Sequence, residues 1–340
     1  MIAGVLLVIE YLVLPQVAGA RKSLHLLADV RIALLLVGVL LEVASLFAYA
    51  ELTRAVLPRG RRPPRRTVFR ILLSTLAVSH VVPGGTAAGG ALGYRLLTDS
   101  GVPSADAGFA LATQGLGSAV VLNLLLWIGL VVSIPLQGFD PLYGTAALVG
   151  VVLIGAFAGL VLLLTRGEDR AANLLCRVAN HLPYIEGQKV DRLVHRIADR
   201  LRELFADRPL LIRAVAWAAA NWLLDAASLW VFLTAFGFRM SPDALLVSYG
   251  LANVLAALPI TPGGLGVIEG VLTTSLVGFG APRGVAILGV ITWRLVNFWL
   301  PIPAGAVAYL SLKLGRGAPR DERAEELRRL AEEVRTINPS

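Results

Sequence analysis

The sequence predicts an all-α polytopic membrane protein with about six full transmembrane helices and two re-entrant helical hairpins. Of its 340 residues, 56% are apolar and only 16% are charged, whereas a soluble domain carries about a quarter charged residues. Six apolar stretches reach the ~20 residues that a helix needs to span a bilayer. They comprise residues 2–20, 32–52, 109–136, 143–164, 210–236 and 285–314. Two further apolar stretches are interrupted by Pro-Gly-Gly triplets, which break a helix and predict the hairpins.

The first stretch, residues 2–20, has the length of a signal-peptide core, but we interpret it as a retained helix. Glu10 interrupts its apolar run, no basic segment precedes it, and no small-residue cleavage pattern follows it. The next helix, at residues 32–52, leads directly into a segment rich in arginine.

The charge distribution orients these helices in the membrane. Segment 54–70 carries seven arginines and no acid, and segment 166–213 is rich in both signs. Loops with an excess of positive charge stay in the cytoplasm, so both segments are predicted to lie there. The expected outer loops, 137–141 and 237–243, carry almost no excess positive charge.

The net charge of +8 is concentrated in these cytoplasmic segments, so the expected partner is an anionic lipid surface and not a nucleic acid. Arg21, Lys22 and Arg31 fall on the outer side in this scheme, against the positive-inside rule. The expected location is the cell membrane, with the C-terminus in the cytoplasm.

The two hairpins predict an inverted-topology repeat. Their arms comprise residues 68–82 with 86–98, and 245–258 with 267–279. Under the charge scheme the first hairpin enters from the cytoplasm and the second from outside. Each half of the chain then has the order helix, hairpin, helix, with repeat one at about 31–136 and repeat two at about 209–314.

Alternatively, the four hairpin arms are full spans. At roughly 14 residues each, an arm reaches ~21 Å at ~1.5 Å per residue, short of a hydrocarbon core of ~30 Å. Length therefore favours the re-entrant arrangement.

Two charged segments follow a helical pattern without being apolar enough to span. Residues 189–205 place apolar side chains on one face and arginines opposite, within an amphipathic cytoplasmic segment at about 166–208. Residues 321–335 form a charged helix laced with Glu/Arg pairs. This helix lies in a cytoplasmic tail, 316–340, that follows the membrane domain at 1–315.

Ionisable residues inside apolar helices are destabilising unless they have a partner or a function. Five are candidates: Glu42, Asp225, Glu269, Arg294 and His80. Glu42 and Asp225 precede the two Pro-Gly-Gly triplets by 41 and 37 residues, so they occupy similar places in the two repeats. Four other residues carry less weight, because interfacial belts account for most membrane tryptophans: Asn221, Trp222, Asn297 and Trp299.

Glu269 and Arg294 are the candidate charge pair. Glu269 begins the second arm of the outer hairpin, where the helix dipole favours an acid. Arg294 lies within the last span. Beside Glu269 it would form a structural ion pair, and alone it would bind a lipid phosphate. If the pair opens during transport, Arg294 has both roles, one after the other. Arg95 ends the first hairpin and either contacts the substrate or extends to the cytoplasmic surface.

The glycine-rich hairpin tips can present backbone N–H groups to an anion. The candidates are Pro83, Gly84 and Gly85 in the first tip, and Pro262, Gly263, Gly264 and Gly266 in the second. His80 precedes the first tip and is either a hydrogen-bonded structural residue or a proton carrier. No His or Cys residues lie at ligand spacing and Cys176 is the single cysteine, so we expect neither a metal nor a cofactor.

Three motifs carry a family resemblance: VVPGGTAAGGALGYRLL, LPITPGGLGVIEG and WRLVNFWLPIPAG. Together they resemble the transmembrane flippase-like domain of lysylphosphatidylglycerol synthases, and the resemblance runs from about Leu24 to Leu314. Of the two motifs that contain a Pro-Gly-Gly triplet, LPITPGGLGVIEG is the more specific to the family. The first departs from the family pattern, because an acid common near Gly89 or Gly90 is absent.

The resemblance implies translocation of an anionic phospholipid or a polyprenyl-phosphate-linked lipid between leaflets. It implies a stand-alone member, because about 26 residues follow the last span, too few for an aminoacyl-transfer domain; we therefore expect no enzyme activity. Two alternatives remain open: an accessory subunit for a lipid-modifying or cell-envelope enzyme, and an intramembrane enzyme acting on lipid phosphates. A partner enzyme and a homo-oligomer are both compatible with the sequence.

Overall fold

A computed structural model describes residues 31–58, 60, 62–82, 85–137, 206–256 and 262–315, with scattered positions between 144 and 159. All regular structure in these residues is helical, which confirms that the fold is all-α; the six spans and the re-entrant arrangement of the hairpins stay predictions. Several predicted features lie outside the described residues: the segments 2–20, 189–205 and 321–335, most of 143–164, and the residues Pro83, Gly84 and Cys176.

The described helices form two groups in chain order. The first group comprises α1 (Ile32–Val56), α2 (Arg65–Val81), α3 (Gly85–Thr98), α4 (Ser104–Ala112) and α5 (Ser118–Gln137). The second comprises α6 (Arg208–Ala235), α7 (Pro242–Ala256), α8 (Val267–Gly278), α9 (Arg283–Arg294) and α10 (Pro301–Gly315). In each group the last two helices are continuous through a π-helical turn, Thr113–Gly117 in the first and Leu295–Trp299 in the second.

Four stretches of the described residues are long and apolar enough to cross a membrane. They are Ile32–Val56, Ser104–Ser133, Arg208–Ala235 and Arg283–Leu314. Each exposes large apolar side chains: Leu40, Val131, Ile212 and Val307 are 65–67% exposed. Lipid, not water, is the solvent that such faces require. The protein is therefore an all-α membrane protein.

The helices α3 and α8, which are the second arms of the two helical hairpins α2–α3 and α7–α8, end in the same kind of turn. Gly101 and Gly280 adopt φ angles of 87° and 90°, a left-handed conformation that only glycine adopts without strain. In both turns the N–H of the next residue bonds back to a carbonyl five positions earlier, as in a Schellman motif. Pro103 and Pro282 then directly precede α4 and α9. A shared Gly-x-Pro sequence thus builds both turns.

The two groups also match in helix order and length. The helices α1 and α6 have 25 and 28 residues, α2 and α7 have 17 and 15, and α3 and α8 have 14 and 12. The Pro-Gly-Gly triplets and the Gly-x-Pro turns each recur 179 positions apart, at 83 and 262 and at 101 and 280.

Each helical hairpin packs mainly against the last helix of the other group. The hairpin α2–α3 contacts α10 through α2, and the hairpin α7–α8 contacts α5 through α7. Glycines permit both contacts: Gly305 of α10 lies against the backbone carbonyl of Leu73 in α2, and Gly250 of α7 lies against Leu126 in α5. Small residues at helix interfaces allow this close approach within membranes. The two groups therefore exchange hairpins, in the sense that the hairpin of each group packs on the last helix of the other.

Replacing Gly305 by alanine is expected to loosen the contact between α2 and α10. A Cβ at this position would collide with the carbonyl of Leu73, and such overpacking costs roughly 1–3 kcal/mol. The melting temperature in detergent should fall accordingly. The matched control is Gly108→Ala, where the nearest neighbouring atom is 3.9 Å from the new Cβ; equal melting temperatures for the two variants would contradict the prediction.

The crossing of α1 and α6 has a symmetric pair of hydrogen bonds. The Ser45 hydroxyl donates to the carbonyl of Asn221 at 3.0 Å, and the Ser228 hydroxyl donates to the carbonyl of Gly38 at 2.9 Å. Asn221 follows Gly38 by 183 positions, and Ser228 follows Ser45 by the same 183. Reciprocal contacts between equivalent residues characterise surfaces related by a two-fold axis. The hydrogen bonding of this crossing is therefore two-fold symmetric.

Candidate functional site

Both hairpins reach the π-helical turn of the last span at one aromatic residue, Phe298. The ring of His80, at the end of α2, stacks on that of Phe298 with centroids 4.2 Å apart. The His80 Nδ1–H donates to the Phe298 carbonyl at 3.0 Å. From the second tip, Gly263 lies so close to the Phe298 ring that a Cβ would overlap it, and its φ is 59°. The fully buried Phe298 thus joins the two hairpins.

Arg294 connects the last span to the second hairpin tip. Its Nε lies 2.6 Å from Oε1 of Glu269, and its Nη2 donates to the carbonyl of Gly263 at 3.1 Å. The other Glu269 oxygen accepts the N–H of Gly266 at 2.7 Å, which caps the N-terminus of α8. The guanidinium carbon also lies 4.5 Å from the centroid of Phe298, within the range of a cation–π interaction.

This ion pair is almost completely shielded, since Arg294 is 4% and Glu269 is 8% exposed. Removing one member of such a pair leaves an uncompensated charge and is strongly destabilising. In the described state the pair therefore holds the tip of α8 against the last span. Its contacts are those of a structural ion pair, and its sequence-predicted role in phosphate binding stays a prediction.

Glu42 and Asp225 meet at the crossing of α1 and α6. The Asn297 amide group bridges them, donating to Oε1 of Glu42 at 3.0 Å and to Oδ2 of Asp225 at 3.2 Å. Asp225 also accepts the Tyr249 hydroxyl at 2.6 Å and the Trp293 indole N–H at 2.5 Å. Two carboxyl groups are thus neighbours inside the protein, with Glu42 only 1% and Asp225 4% exposed.

Of the remaining predicted residues, Gly85, Gly264 and Pro262 lie at the tips, whereas Arg95 does not. Gly85 begins α3 so close to the Ser79 carbonyl that no side chain fits there. Gly264, with a φ of 69°, is buried between Ala256 and Ile268. Pro262 belongs to a 3-10 turn, Pro262–Gly264, that precedes α8. Arg95 is exposed in the last turn of α3, at the opposite end of that helix from its tip.

Three residues of this cluster escaped the sequence analysis: Tyr249, Trp293 and Phe298. Each is aromatic and lies in an apolar helix, where the usual expectation is core packing. A weak signal existed for one of them, because Trp293 and Asn297 are four residues apart and so lie on neighbouring turns of one helix face. Nothing in the sequence indicated that this face would meet Asp225.

With this geometry established, comparison with known proteins decides the family. The model of the family described as "Lysylphosphatidylglycerol synthase TM region" matches residues 1–305. The chain belongs to this family. The resemblance predicted from the three motifs is thereby confirmed.

Relatives of this lysylphosphatidylglycerol synthase TM-region protein occur in archaea. A UPF0104 membrane protein of Methanothermobacter thermautotrophicus is 24% identical over 253 residues, covering 72% of this chain and 75% of the relative. Another from the same organism is 22% identical over 256 residues, covering 71% and 72%. A UPF0104 membrane protein of Methanocaldococcus jannaschii is 26% identical over 103 residues, covering 30% and 31%. These names state a membrane location and no activity.

Proposed function

We propose that this protein translocates the headgroup of a phospholipid or of a polyprenyl-phosphate-linked lipid between the two membrane leaflets. One observation carries the proposal: both hairpin tips converge with a buried arginine, Arg294, at the π-helical turn of the last span. Transporters built from repeats bind substrate where interrupted helices from the two halves meet. Membership of a lipid-associated family supports a lipid as the substrate.

We infer that both hairpins are re-entrant and enter from opposite sides of the membrane. Their arms have 17, 14, 15 and 12 residues, which reach about 18–26 Å, short of a hydrocarbon core of ~30 Å. The matched helix order, the recurring turns and the exchanged hairpins support two equivalent halves, at about 31–136 and 209–314. The cell membrane is the inferred location, with the C-terminus in the cytoplasm.

Arg294 is the group that would receive the lipid phosphate. A guanidinium binds carboxylate and phosphate with the same planar arrangement of donors. Glu269 occupies those donors in the described state, so an entering phosphate replaces one anion by another and leaves the arginine compensated. The displaced Glu269 keeps its bond to the N–H of Gly266, at a helix N-terminus that favours negative charge.

The hairpin tips supply the remaining contacts in this proposal. Among the described residues, the backbone N–H groups of Gly85 and Gly264 are the proposed donors for phosphate oxygens, and the acyl chains stay in lipid. Arg95, exposed at the far end of α3, meets the headgroup only at the membrane surface.

The direct test uses the full chain in lipid vesicles with fluorescent lipids in both leaflets and a membrane-impermeant quencher. We expect protein-dependent quenching of inner-leaflet label for at least one of phosphatidylglycerol, aminoacylated phosphatidylglycerol and a polyprenyl phosphate. Labelled phosphatidylcholine is the control for non-specific leakage. Quenching no faster than in protein-free vesicles would reject the proposal, and chemical conversion of a lipid by the purified protein would favour an enzyme instead.

A further inference from the structure

The Glu42–Asp225 pair lies where equivalent positions of the two halves meet. Asp225 follows Glu42 by 183 positions, the same interval that relates the partners in the two serine hydrogen bonds of the α1–α6 crossing. A residue on a two-fold axis contacts its own equivalent. Glu42 and Asp225 are therefore equivalent residues of the two halves that meet at the centre of this crossing. A rotation of one half against the other about this crossing would change the surroundings of both carboxyl groups.

The donors around the pair are distributed unequally. Asp225 accepts three hydrogen bonds, from Trp293, Tyr249 and Asn297. Glu42 accepts only one, at Oε1 from Asn297. Its second oxygen, Oε2, is fully buried and receives no hydrogen bond from an N–H or O–H group of the described residues, although the Asp225 carboxyl group lies within hydrogen-bonding range of Glu42. The three donors around Asp225 are what an ionised carboxylate requires. If Glu42 were ionised as well, its oxygen Oε2 would be a buried, negatively charged acceptor without a hydrogen-bond donor.

The charge balance of the surroundings requires a further positive charge. The titratable and charged groups packed around the pair are Glu269 of α8, Arg294 of α9, Tyr249 of α7 and, beyond Phe298, His80 of α2. Arg294 has a favourable electrostatic interaction with Asp225, but its direct ion pair is with Glu269. Among the described residues, Arg294 is the one arginine or lysine packed near these groups, so ionisation of Glu42, Asp225 and Glu269 together would leave two negative charges uncompensated inside the membrane, which is strongly destabilising. One proton on a carboxyl group removes the first of these charges, and the three hydrogen bonds to Asp225 stabilise the second.

A proton fits this position better than a metal ion. Asn297 presents its NH₂ group, not its carbonyl, to both carboxyl groups. Trp293 and Tyr249 direct an N–H and an O–H at Asp225. These donors occupy the oxygen lone pairs that a hard cation needs and repel it, and such a cation needs about six or more oxygen ligands. A proton on the second oxygen of Glu42 makes that oxygen an O–H donor, and the Asp225 carboxylate within hydrogen-bonding range is its acceptor.

We propose that Glu42 and Asp225 form a one-proton site, with the proton on Glu42, and that movement of the two halves exchanges this proton with water. On release, the O–H bond of Glu42 breaks, a water molecule accepts the proton, and a carboxylate remains; uptake reverses the step. Headgroup translocation is then coupled to the proton gradient. Only this coupling rests on the proposed function, because the proton site is a property of the protein alone.

The proton site is tested by infrared spectroscopy of the purified full chain in lipid nanodiscs at neutral pH. We expect the carbonyl band of a protonated carboxyl group, and we expect E42Q to remove it. The matched control is E51Q on the same helix, because Glu51 is equally a buried glutamate but is paired with Arg54 and Arg65. Absence of the band in the wild type, or its persistence in E42Q, would overturn the proposal.

Stability gives an independent readout of the same site. Glutamine has nearly the shape of a protonated glutamate, so E42Q should melt within a few degrees of the wild type. A variant that fails to fold would show that the site needs a charge at this position, and would also overturn the proposal.

Coupling is tested in vesicles with an imposed pH gradient. For one proton per headgroup, a gradient of one pH unit shifts the ratio of label between leaflets about tenfold, and E42Q should not respond. Equal distribution with and without the gradient would reject coupling while leaving translocation intact. Absence of translocation under every condition would reject the proposed function, and the infrared result would then decide the proton site alone.

Discussion

Replacing Arg294 and Glu269 together by glutamine is expected to abolish headgroup translocation while the protein stays folded. The single variant R294Q leaves the Glu269 charge buried without its partner, which costs about 3–5 kcal/mol. The double variant removes both charges and avoids this penalty, but it also removes the guanidinium that would bind phosphate. The measurements are melting temperature in detergent and translocation in vesicles for both single variants and the double variant.

A second ion pair provides the control for this experiment. Glu51 and Arg65 lie 3.0 Å apart near the arginine-rich loop, and Arg65 is largely exposed. The variant E51Q/R65Q should keep translocation and lose little stability, because Glu51 is buried but Arg65 is 63% exposed, so water reaches the pair and limits its contribution to ~1 kcal/mol. Translocation at the wild-type rate by R294Q/E269Q would show that the inner pair has only a structural role.

Replacing Phe298 by alanine is expected to separate the two hairpin tips. Phe298 contacts His80 of the first hairpin, Gly263 of the second and Arg294 of the last span. Loss of a buried phenylalanine costs about 3–5 kcal/mol, so the melting temperature should fall markedly and translocation should stop. Phe47→Ala is the matched control, because Phe47 is 39% exposed on α1 and its removal should change stability little.

Phe298→Leu distinguishes loss of the aromatic contacts from unfolding. Leucine keeps most of the buried volume but cannot stack with His80 or hold Arg294 by a cation–π contact. We expect a stable protein with slow translocation. A Phe298→Leu variant as active as the wild type would mean that the ring serves only as packing.

The positions of the helices follow closely from the sequence. The second hairpin was predicted at 245–258 and 267–279, and the structure has Pro242–Ala256 and Val267–Gly278. Apolar length and the helix-breaking triplets decide these boundaries, and both can be read locally. The π-helical turns were not predicted. The sequence Leu295–Trp299 contains no glycine or proline, so the extra residue in this turn reflects packing against neighbouring helices.

The candidate site was only partly predictable, because it is assembled across the chain. Counting from the triplets placed Glu42 and Asp225 in similar positions, yet their meeting depends on how α1 crosses α6. The contact between Asn297 and Glu42 joins residues 255 positions apart. No local pattern encodes such a contact, and the aromatic residue Phe298 is indistinguishable in sequence from ordinary core.

The exchange of hairpins has a consequence for how the chain is made. Leu73 of α2 packs on Gly305 of α10, a residue that the ribosome adds 232 positions later. At about 5–20 residues per second, the first hairpin waits roughly 10–50 s in the membrane before its partner exists. Its closely packed face is exposed throughout that interval, so this is the stage of biosynthesis at which the protein is most open to misassembly and to assistance by insertion machinery.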